Sequence, residues 1–311
     1  MPLPASEPER ILQRLDWTVI RKMDGLLQGD YRTLFRGFGL ELAELREYQL
    51  TDDVRTIDWY VTARLQTPYV RQYMEDREIT AWFLLDMSPS VDFGTVAVDK
   101  RKLLVDFVGV LARLLTRHGN RVGALIFSGS NVRAIPARGG RMHVLRLIRE
   151  LQDQPRLTRA PQTDLSVLLE SALRVIGRRS LLFVISDFLS VTGWDKPLTM
   201  LTHTHEILAV KLSDPRESEL PDVGAIVFED AETGEQLFLD THDHGFRKRF
   251  AEAARRRRED LDRLLARRGV EMLPLSTEGD MARDIVRFAI EHAQRRAAPS
   301  SRAAAKLQDA S

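Results

Sequence analysis

The chain has 311 residues, which exceeds one typical domain and is long enough to bury a sizeable core. Hydrophobic residues make up 43% and charged residues 29% of it, the composition of an ordinary soluble globular protein. The formal net charge of +1 excludes a global attraction to nucleic acid or to anionic membranes. Because the sequence has no cysteine, disulfides and thiolate metal sites are excluded as well.

The first residues do not resemble a secretory signal, because Glu7, Glu9 and Arg10 interrupt any apolar stretch. No apolar run in the chain approaches the ~20 residues that a transmembrane helix needs. We therefore expect a cytoplasmic protein without a membrane span.

An amphipathic helix is predicted first. Ser6 and Glu9 have the spacing of a capping box, and apolar residues follow at helical intervals. Such a stripe is typical of a helix that packs on the body of its own protein, although a membrane-surface or partner-docking role is an alternative. The stripe consists of Ile11, Leu12, Leu15, Val19, Met23 and Leu26.

Residues 46–77 are dense in charged and aromatic side chains, with a strand predicted near 69–76. Paired charges around a tryptophan favour an ion-pair network that fastens the leader segment to the main sheet. A docking surface for a partner is the alternative. The side chains concerned are Arg46, Asp52, Asp53, Arg55, Asp58, Trp59, Arg64 and Arg71.

Beyond this segment, apolar strands alternate with helices of 8 to 26 residues in the predicted pattern. Strands are predicted at 79–85, 121–127, 131–136, 180–186, 206–212 and 270–275, and helices at 97–118, 141–152, 165–176, 195–202, 243–268 and 280–295. This alternation predicts a mostly parallel sheet with helices on both faces, the strand at 131–136 being antiparallel at the edge. The predicted domains are an N-terminal helix and extension at 1–77, an α/β domain at 78–296 with a β-hairpin insertion at 223–240, and a flexible tail at 297–311.

The most specific motif is Asp86-x-Ser88-x-Ser90, at the end of the apolar strand 79–85. Thr163 precedes a helix, and Asp187 follows a second apolar strand. If the two strands are parallel neighbours, their carboxyl ends lie at one edge of the sheet and these residues converge. Carboxylate and hydroxyl oxygens are hard ligands, which suit Mg²⁺ or Mn²⁺ rather than zinc.

This order of residues resembles the metal-ion-dependent adhesion site of von Willebrand factor A domains. Flanking segments resemble the bacterial domain-of-unknown-function 58 family, and the similarity covers about residues 35–296. The departures, Pro89 between the two serines and Val91 where relatives often have Met, remove no ligand. The segments are 41–48, 52–59, 62–64, 69–73 and 223–235.

The resemblance implies a Rossmann-like von Willebrand A fold and a metal held directly by the hydroxyls of Ser88, Ser90 and Thr163. Asp86 and Asp187 would reach the metal through water, and one position would stay open for a partner's acidic side chain. The resemblance also implies a MoxR-type AAA+ ATPase as partner, with the chain acting as a non-enzymatic adaptor in the assembly or maturation of other proteins.

Other readings of the same residues stay open. Asp, Ser and Thr at strand ends also cap helices, so Ser90 and Thr163 could serve the backbone while Asp187 anchors a turn. Asp86 could be the nucleophile of a Mg²⁺-dependent phosphohydrolase, but the second acid such enzymes use is absent, since position 88 is serine. A structural scaffold with a degenerate metal site is a third alternative.

Overall fold

The computed structural model describes residues 6–26, 44–48, 54, 57, 59, 62, 67–72, 79–96, 98–129, 131–157, 162–229 and 234–297. The chain divides into two compact units, one of residues 1–29 with 80–288 and one of residues 30–79 with 289–311. In the second unit, β1 (Glu44–Glu47) pairs antiparallel with β2 (Tyr69–Gln72). The domain boundaries predicted from the sequence stay a prediction.

The leader is a continuous helical segment made of α1 (Glu7–Leu15), a π-helical turn (Asp16–Ile20) and α2 (Arg21–Leu26). The predicted capping box is present, since the Ser6 N–H donates to Glu9 Oε2 at 3.0 Å. The expected 3.6-residue stripe departs from the structure at two positions: Ile11 and Val19 are only half-buried, and Ile20 is buried in place of Val19. The wider π-helical turn explains the shift, since it adds a residue between one buried position and the next.

The central sheet has six strands in the order β10, β7, β6, β3, β4, β5. Strands that follow β3 in the chain lie on both sides of it, so the order reverses between β3 and β6, as in a Rossmann-like doubly wound sheet. The predicted mixed α/β fold with a mostly parallel sheet is thereby confirmed. The strands are β3 (Thr80–Asp86), β4 (Arg121–Ser128), β5 (Asn131–Arg138), β6 (Leu181–Ser186), β7 (Glu206–Ser213) and β10 (Glu271–Ser276).

Only one pairing in this sheet is antiparallel, that of β5 with β4, which confirms the prediction for the edge strand. Pro136 lies in β5, where the missing N–H is tolerated because an edge strand has one unpaired side. A separate antiparallel hairpin, β8 (Ala225–Glu229) with β9 (Gln236–Asp240), confirms the predicted hairpin.

Helices cover both faces of the sheet because successive residues of β3 point to opposite sides. Phe83 stacks on Phe183 of β6 at 5.3 Å between ring centroids, and Phe183 meets Phe107 edge-on at 6.4 Å. On the other face, Trp82 and Leu84 belong to a buried cluster with leucines of the helices that flank β6. The helices after the leader are α3 (Lys100–Arg117), α4 (Arg141–Gln152), α5 (Leu165–Val175), α6 (Asp195–Thr202), α7 (His244–Arg267) and α8 (Met281–Ala297).

Two expectations need qualification. The helix predicted at 97–118 begins at Lys100, because the Asp99 side chain accepts from the Lys102 N–H at 2.7 Å and caps it.

The network predicted within 46–77 and the tail beyond 297 lie largely outside the described residues. Of the side chains named for that network, the described one is Trp59, which is exposed.

Candidate functional site

The candidate site lies at the carboxyl edge of the sheet, where the strand order reverses. Asp86 is the last residue of β3, and Asp187 comes directly after β6, its parallel neighbour. In open α/β sheets, ligands bind in the crevice outside the carboxyl ends of the strands at such a reversal. The predicted adjacency of the two strands is confirmed. All five candidate residues, Asp86, Ser88, Ser90, Thr163 and Asp187, are at most 9% exposed.

Asp86 is held through both carboxylate oxygens. Its Oδ1 accepts from the Ser88 N–H at 3.0 Å, and its Oδ2 accepts from the Ser186 hydroxyl at 2.7 Å. Burial raises the pKa of Asp86 to about 6, the negative charge of Asp187 adds to the rise, and the hydrogen bonds oppose it. When Asp86 is ionised, its surroundings therefore compensate its negative charge only in part.

The hydroxyls of Ser88 and Ser90 share a hydrogen bond, with 3.1 Å between their Oγ atoms. A 3₁₀ turn, Pro89–Asp92, fixes this arrangement, because the Val91 N–H donates to the Ser88 carbonyl at 3.0 Å. Two oxygens at neighbouring corners of a Mg²⁺ octahedron are about 2.8–3.0 Å apart, given metal–oxygen distances of about 2.0–2.1 Å. The spacing of the two hydroxyls therefore fits such a cation.

Asp187 is held by a turn on one side and by a lysine on the other. Its Oδ1 accepts from the Leu189 N–H at 3.0 Å, and its Oδ2 accepts from Lys100 Nζ at 2.7 Å. Phe188, between them in sequence, has φ of 58°, a left-handed conformation that is strained for an aromatic residue. The capping alternative is right that Asp187 anchors a turn.

Thr163 is attached to the same edge through its main chain. Its carbonyl accepts from the Val191 N–H at 3.0 Å and from the Ser190 hydroxyl at 2.9 Å. The cap of α5 is the next residue, Asp164, whose carboxylate accepts from the Ser166 N–H at 2.9 Å. The loop that carries Thr163 and the loop that carries Asp187 are therefore neighbours.

Three residues of this site escaped the sequence analysis: Lys100, Ser186 and Glu217. Lys100 Nζ contacts both Asp187 and Glu217, which lies in the 3₁₀ turn Pro215–Glu217 after β7. One signal for Lys100 was available, since a lysine in the first turn of a helix opposes the helix dipole and needs a compensating partner. Neither Ser186 nor Glu217 carries a comparable sequence signal.

The five predicted ligands comprise two carboxylates and three hydroxyls, all of them hard oxygens. Among the residues that the structure describes, no three of His, Cys, Asp and Glu are grouped so as to hold a metal. A cation at this edge would therefore depend on the hydroxyls of Ser88, Ser90 and Thr163 as well as on carboxylates. Oxygen donors of this kind match Mg²⁺ or Mn²⁺ and do not match zinc.

The fold and this site define an α/β protein with a cluster of buried carboxylates and hydroxyls at the reversal of its sheet. The chain matches the family described as "Protein of unknown function DUF58" over residues 44–260, and it belongs to that family. The family recognised from the sequence is thereby confirmed. An uncharacterized protein of Mycobacterium tuberculosis is 42% identical over 277 residues, covering 89% of this chain and 87% of the relative.

A second relative, an uncharacterized protein of Mycobacterium avium, is 39% identical over 154 residues, covering 50% of this chain and 90% of the relative. Similar solved structures include BatB from Bacteroides thetaiotaomicron, with a TM-score of 0.44, 13% identity, and coverage of 70% of this chain and 99% of that one. They also include the SpRpn10 VWA domain, with a TM-score of 0.38, 11% identity, and coverage of 68% and 94%. None of the described helices combines the length and the apolar character needed to cross a bilayer.

Proposed function

We propose that this chain is a protein-interaction module that binds its partner through a divalent cation, Mg²⁺ or Mn²⁺. The proposed donors are the hydroxyls of Ser88, Ser90 and Thr163, with the carboxylates of Asp86 and Asp187 behind them. The observation that carries the proposal is the 3.1 Å separation of the two serine Oγ atoms beside a buried carboxylate.

The charge of the site supports the proposal. Burial and the charge of Asp187 raise the pKa of Asp86 to about 6, so the metal-free site has more negative charge than its protein partners neutralise. A cation placed there would remove that excess. Because Mg²⁺ keeps several of its ligands as exchangeable water, an outside carboxylate can replace one of them. The partner expected on this basis presents an Asp or Glu side chain.

The partner implied by the family resemblance, a MoxR-type AAA+ ATPase, stays a prediction. So do the adaptor role in assembly or maturation, the cytoplasmic location and the non-enzymatic character of the chain. The environment of Asp86 supports the non-enzymatic character, because both of its carboxylate oxygens accept hydrogen bonds and its side chain is buried. Those contacts leave it poorly placed to attack a phosphoryl group.

A scaffold with a degenerate metal site is the second candidate, and one observation favours it. All four carboxylate oxygens of Asp86 and Asp187 already accept from a protein donor. Such a set can hold three loops together without a metal. Under this candidate the cluster serves the fold alone, and partner binding does not depend on a cation.

Metal binding by the whole chain separates the two candidates. Mn²⁺ binding measured by electron paramagnetic resonance should be detected for the wild type and weakened at least tenfold by Ser88→Ala. Ser171→Ala is the matched control, because the Ser171 hydroxyl bonds only within α5: it donates to the Val167 carbonyl at 2.8 Å and accepts from the Arg174 side chain.

Partner capture completes the test. A MoxR-type AAA+ ATPase should be retained by the immobilised wild type in Mg²⁺ and released by EDTA, and Ser88→Ala should fail to retain it. Mn²⁺ binding that Ser88→Ala leaves unchanged would rule out the proposed site. Retention that survives EDTA would favour the scaffold.

A further inference from the structure

Lys100 is a fully buried cation beside the proposed metal site. It occupies the first position of α3, where the helix dipole favours anions and disfavours a positive charge. Burying an ammonium group is also costly unless it is paired. A charged lysine is stable at this position only if nearby carboxylates pair with its ammonium group.

Two carboxylates provide that compensation. Lys100 Nζ lies 2.7 Å from Asp187 Oδ2, with both side chains at most 1% exposed. It also contacts Glu217 Oε1, on a side chain that is 25% exposed. A third contact is with the Phe93 ring, whose centroid is 5.7 Å from Nζ. Phe93 follows the 3₁₀ turn that carries Ser90, so Lys100 touches two of the loops that form the site.

These contacts leave Lys100 charged. Burial acts to lower the pKa of its ammonium group, but Asp187 and Glu217 outweigh that effect, and the pKa is raised. Lys211 is a second cation in the neighbourhood, on β7. It is half-buried and interacts with Asp187 and Glu217 without a described hydrogen bond or ion pair to either.

We propose that Lys100 is a built-in counter-charge to Asp187, which weakens the hold of the site on its divalent cation and so preserves the attraction of that cation for an outside carboxylate. This inference rests on the proposed function. Removing Lys100 makes the metal-loaded site more negative by one charge. This holds whether the lysine mainly neutralises Asp187 or Glu217. The cation should then bind more tightly, and an incoming anion should be attracted less.

The test uses the full chain with Mn²⁺ as the probe metal and acetate as the probe carboxylate. Electron paramagnetic resonance gives Mn²⁺ affinity, and water-proton relaxation reports whether acetate replaces water on the bound ion. Lys100→Met should bind Mn²⁺ roughly tenfold more tightly, since a full charge a few ångströms away interacts strongly in a buried site. The acetate response should fall. Lys211→Met removes the same charge from a position that does not contact Asp187 directly. It should change the Mn²⁺ affinity and the acetate response less than Lys100→Met does.

A second variant guards against misfolding, since Lys100→Met leaves two carboxylates without their partner. Lys100→Met combined with Glu217→Gln removes one charge of each sign, and circular dichroism verifies that it folds. It should still bind Mn²⁺ more tightly than Glu217→Gln alone does.

The outcomes separate this inference from the proposed function. If the wild type binds Mn²⁺ through Ser88 and the folded Lys100 variants bind no more tightly than their references, the counter-charge role is overturned and the metal site stands. If neither the wild type nor the variants bind Mn²⁺, both proposals fall.

Discussion

Replacing Asp86 by asparagine should stabilise the metal-free protein at neutral pH. The pKa of this carboxyl group is raised from 3.8 to about 6, by burial first and then by the charge of Asp187. A carboxyl group with a raised folded-state pKa binds its proton more tightly when folded. Its ionisation therefore lowers the free energy of unfolding as the pH rises from 3.8 to about 6, and the full penalty is present above that range.

The size of the effect follows from the pKa difference. A pKa that is raised by about 2 corresponds to about 3 kcal/mol, since one pKa unit is equivalent to about 1.36 kcal/mol. Asparagine removes that charge but places its amide NH₂ towards one of the two donors, the Ser186 hydroxyl or the Ser88 N–H. Losing one such hydrogen bond costs about 1 kcal/mol. We expect a net gain of about 2 kcal/mol in the free energy of unfolding.

Urea unfolding in EDTA measures this gain, with the fluorescence of the core residues Trp82 and Trp194 as the signal. The advantage of the variant should shrink well below its neutral-pH value at about pH 5, where Asp86 of the wild type is mostly protonated. Added Mg²⁺ should stabilise the wild type and leave Asp86→Asn unaffected. Asp164→Asn is the control, because asparagine caps a helix as well as aspartate does. A variant no more stable than the wild type at pH 7.5 would refute the reasoning about Asp86.

Three further outcomes are expected. Mn²⁺ affinity of the wild type should fall as the pH is lowered through about 6, because the cation competes with the proton on Asp86; an affinity equal at pH 7.5 and 5.5 would contradict this. Gly123→Ala should lower the free energy of unfolding by about 1–3 kcal/mol in urea titrations, because the added Cβ would lie 2.8 Å from the Trp82 ring; a neutral effect would show that the ring can move aside. Asp99→Ala should lower the free energy of unfolding by about 1 kcal/mol, because the cap of α3 is lost, and Asp99→Asn should lower it less. Equal losses for the two variants would instead assign the effect to the ion pair of Asp99 with Arg156.

Local patterns in the sequence were enough to predict the elements of the α/β domain. Strands buried on both faces, such as β3 and β6, appear as continuous apolar runs, and α5 appears as an amphipathic repeat. Those signals depend on each segment alone, so Asp86 and Asp187 could be assigned to strand ends from the sequence. The edge strand β5 was also recognisable, because it follows β4 almost directly in the chain.

The leader shows where local reasoning fails. An even 3.6-residue period predicted Val19 as a core residue, but the π-helical turn at Asp16–Ile20 moves that role to Ile20. The extra residue depends on how the helical segment packs, and the spacing of apolar residues does not reveal it.

By itself, then, the sequence determined which segments are strands and helices and which polar residues end them, because those properties arise from neighbours within a few positions. The tertiary structure decided that β3 lies beside β6, and it joined Lys100 to Asp187, 87 positions away, and to Glu217, 117 positions away. Contacts between residues so far apart depend on how strands are ordered in the sheet. The charge balance of the candidate site is set by those long-range contacts, since the ammonium group and the two carboxylates meet only when α3, β6 and β7 are packed together.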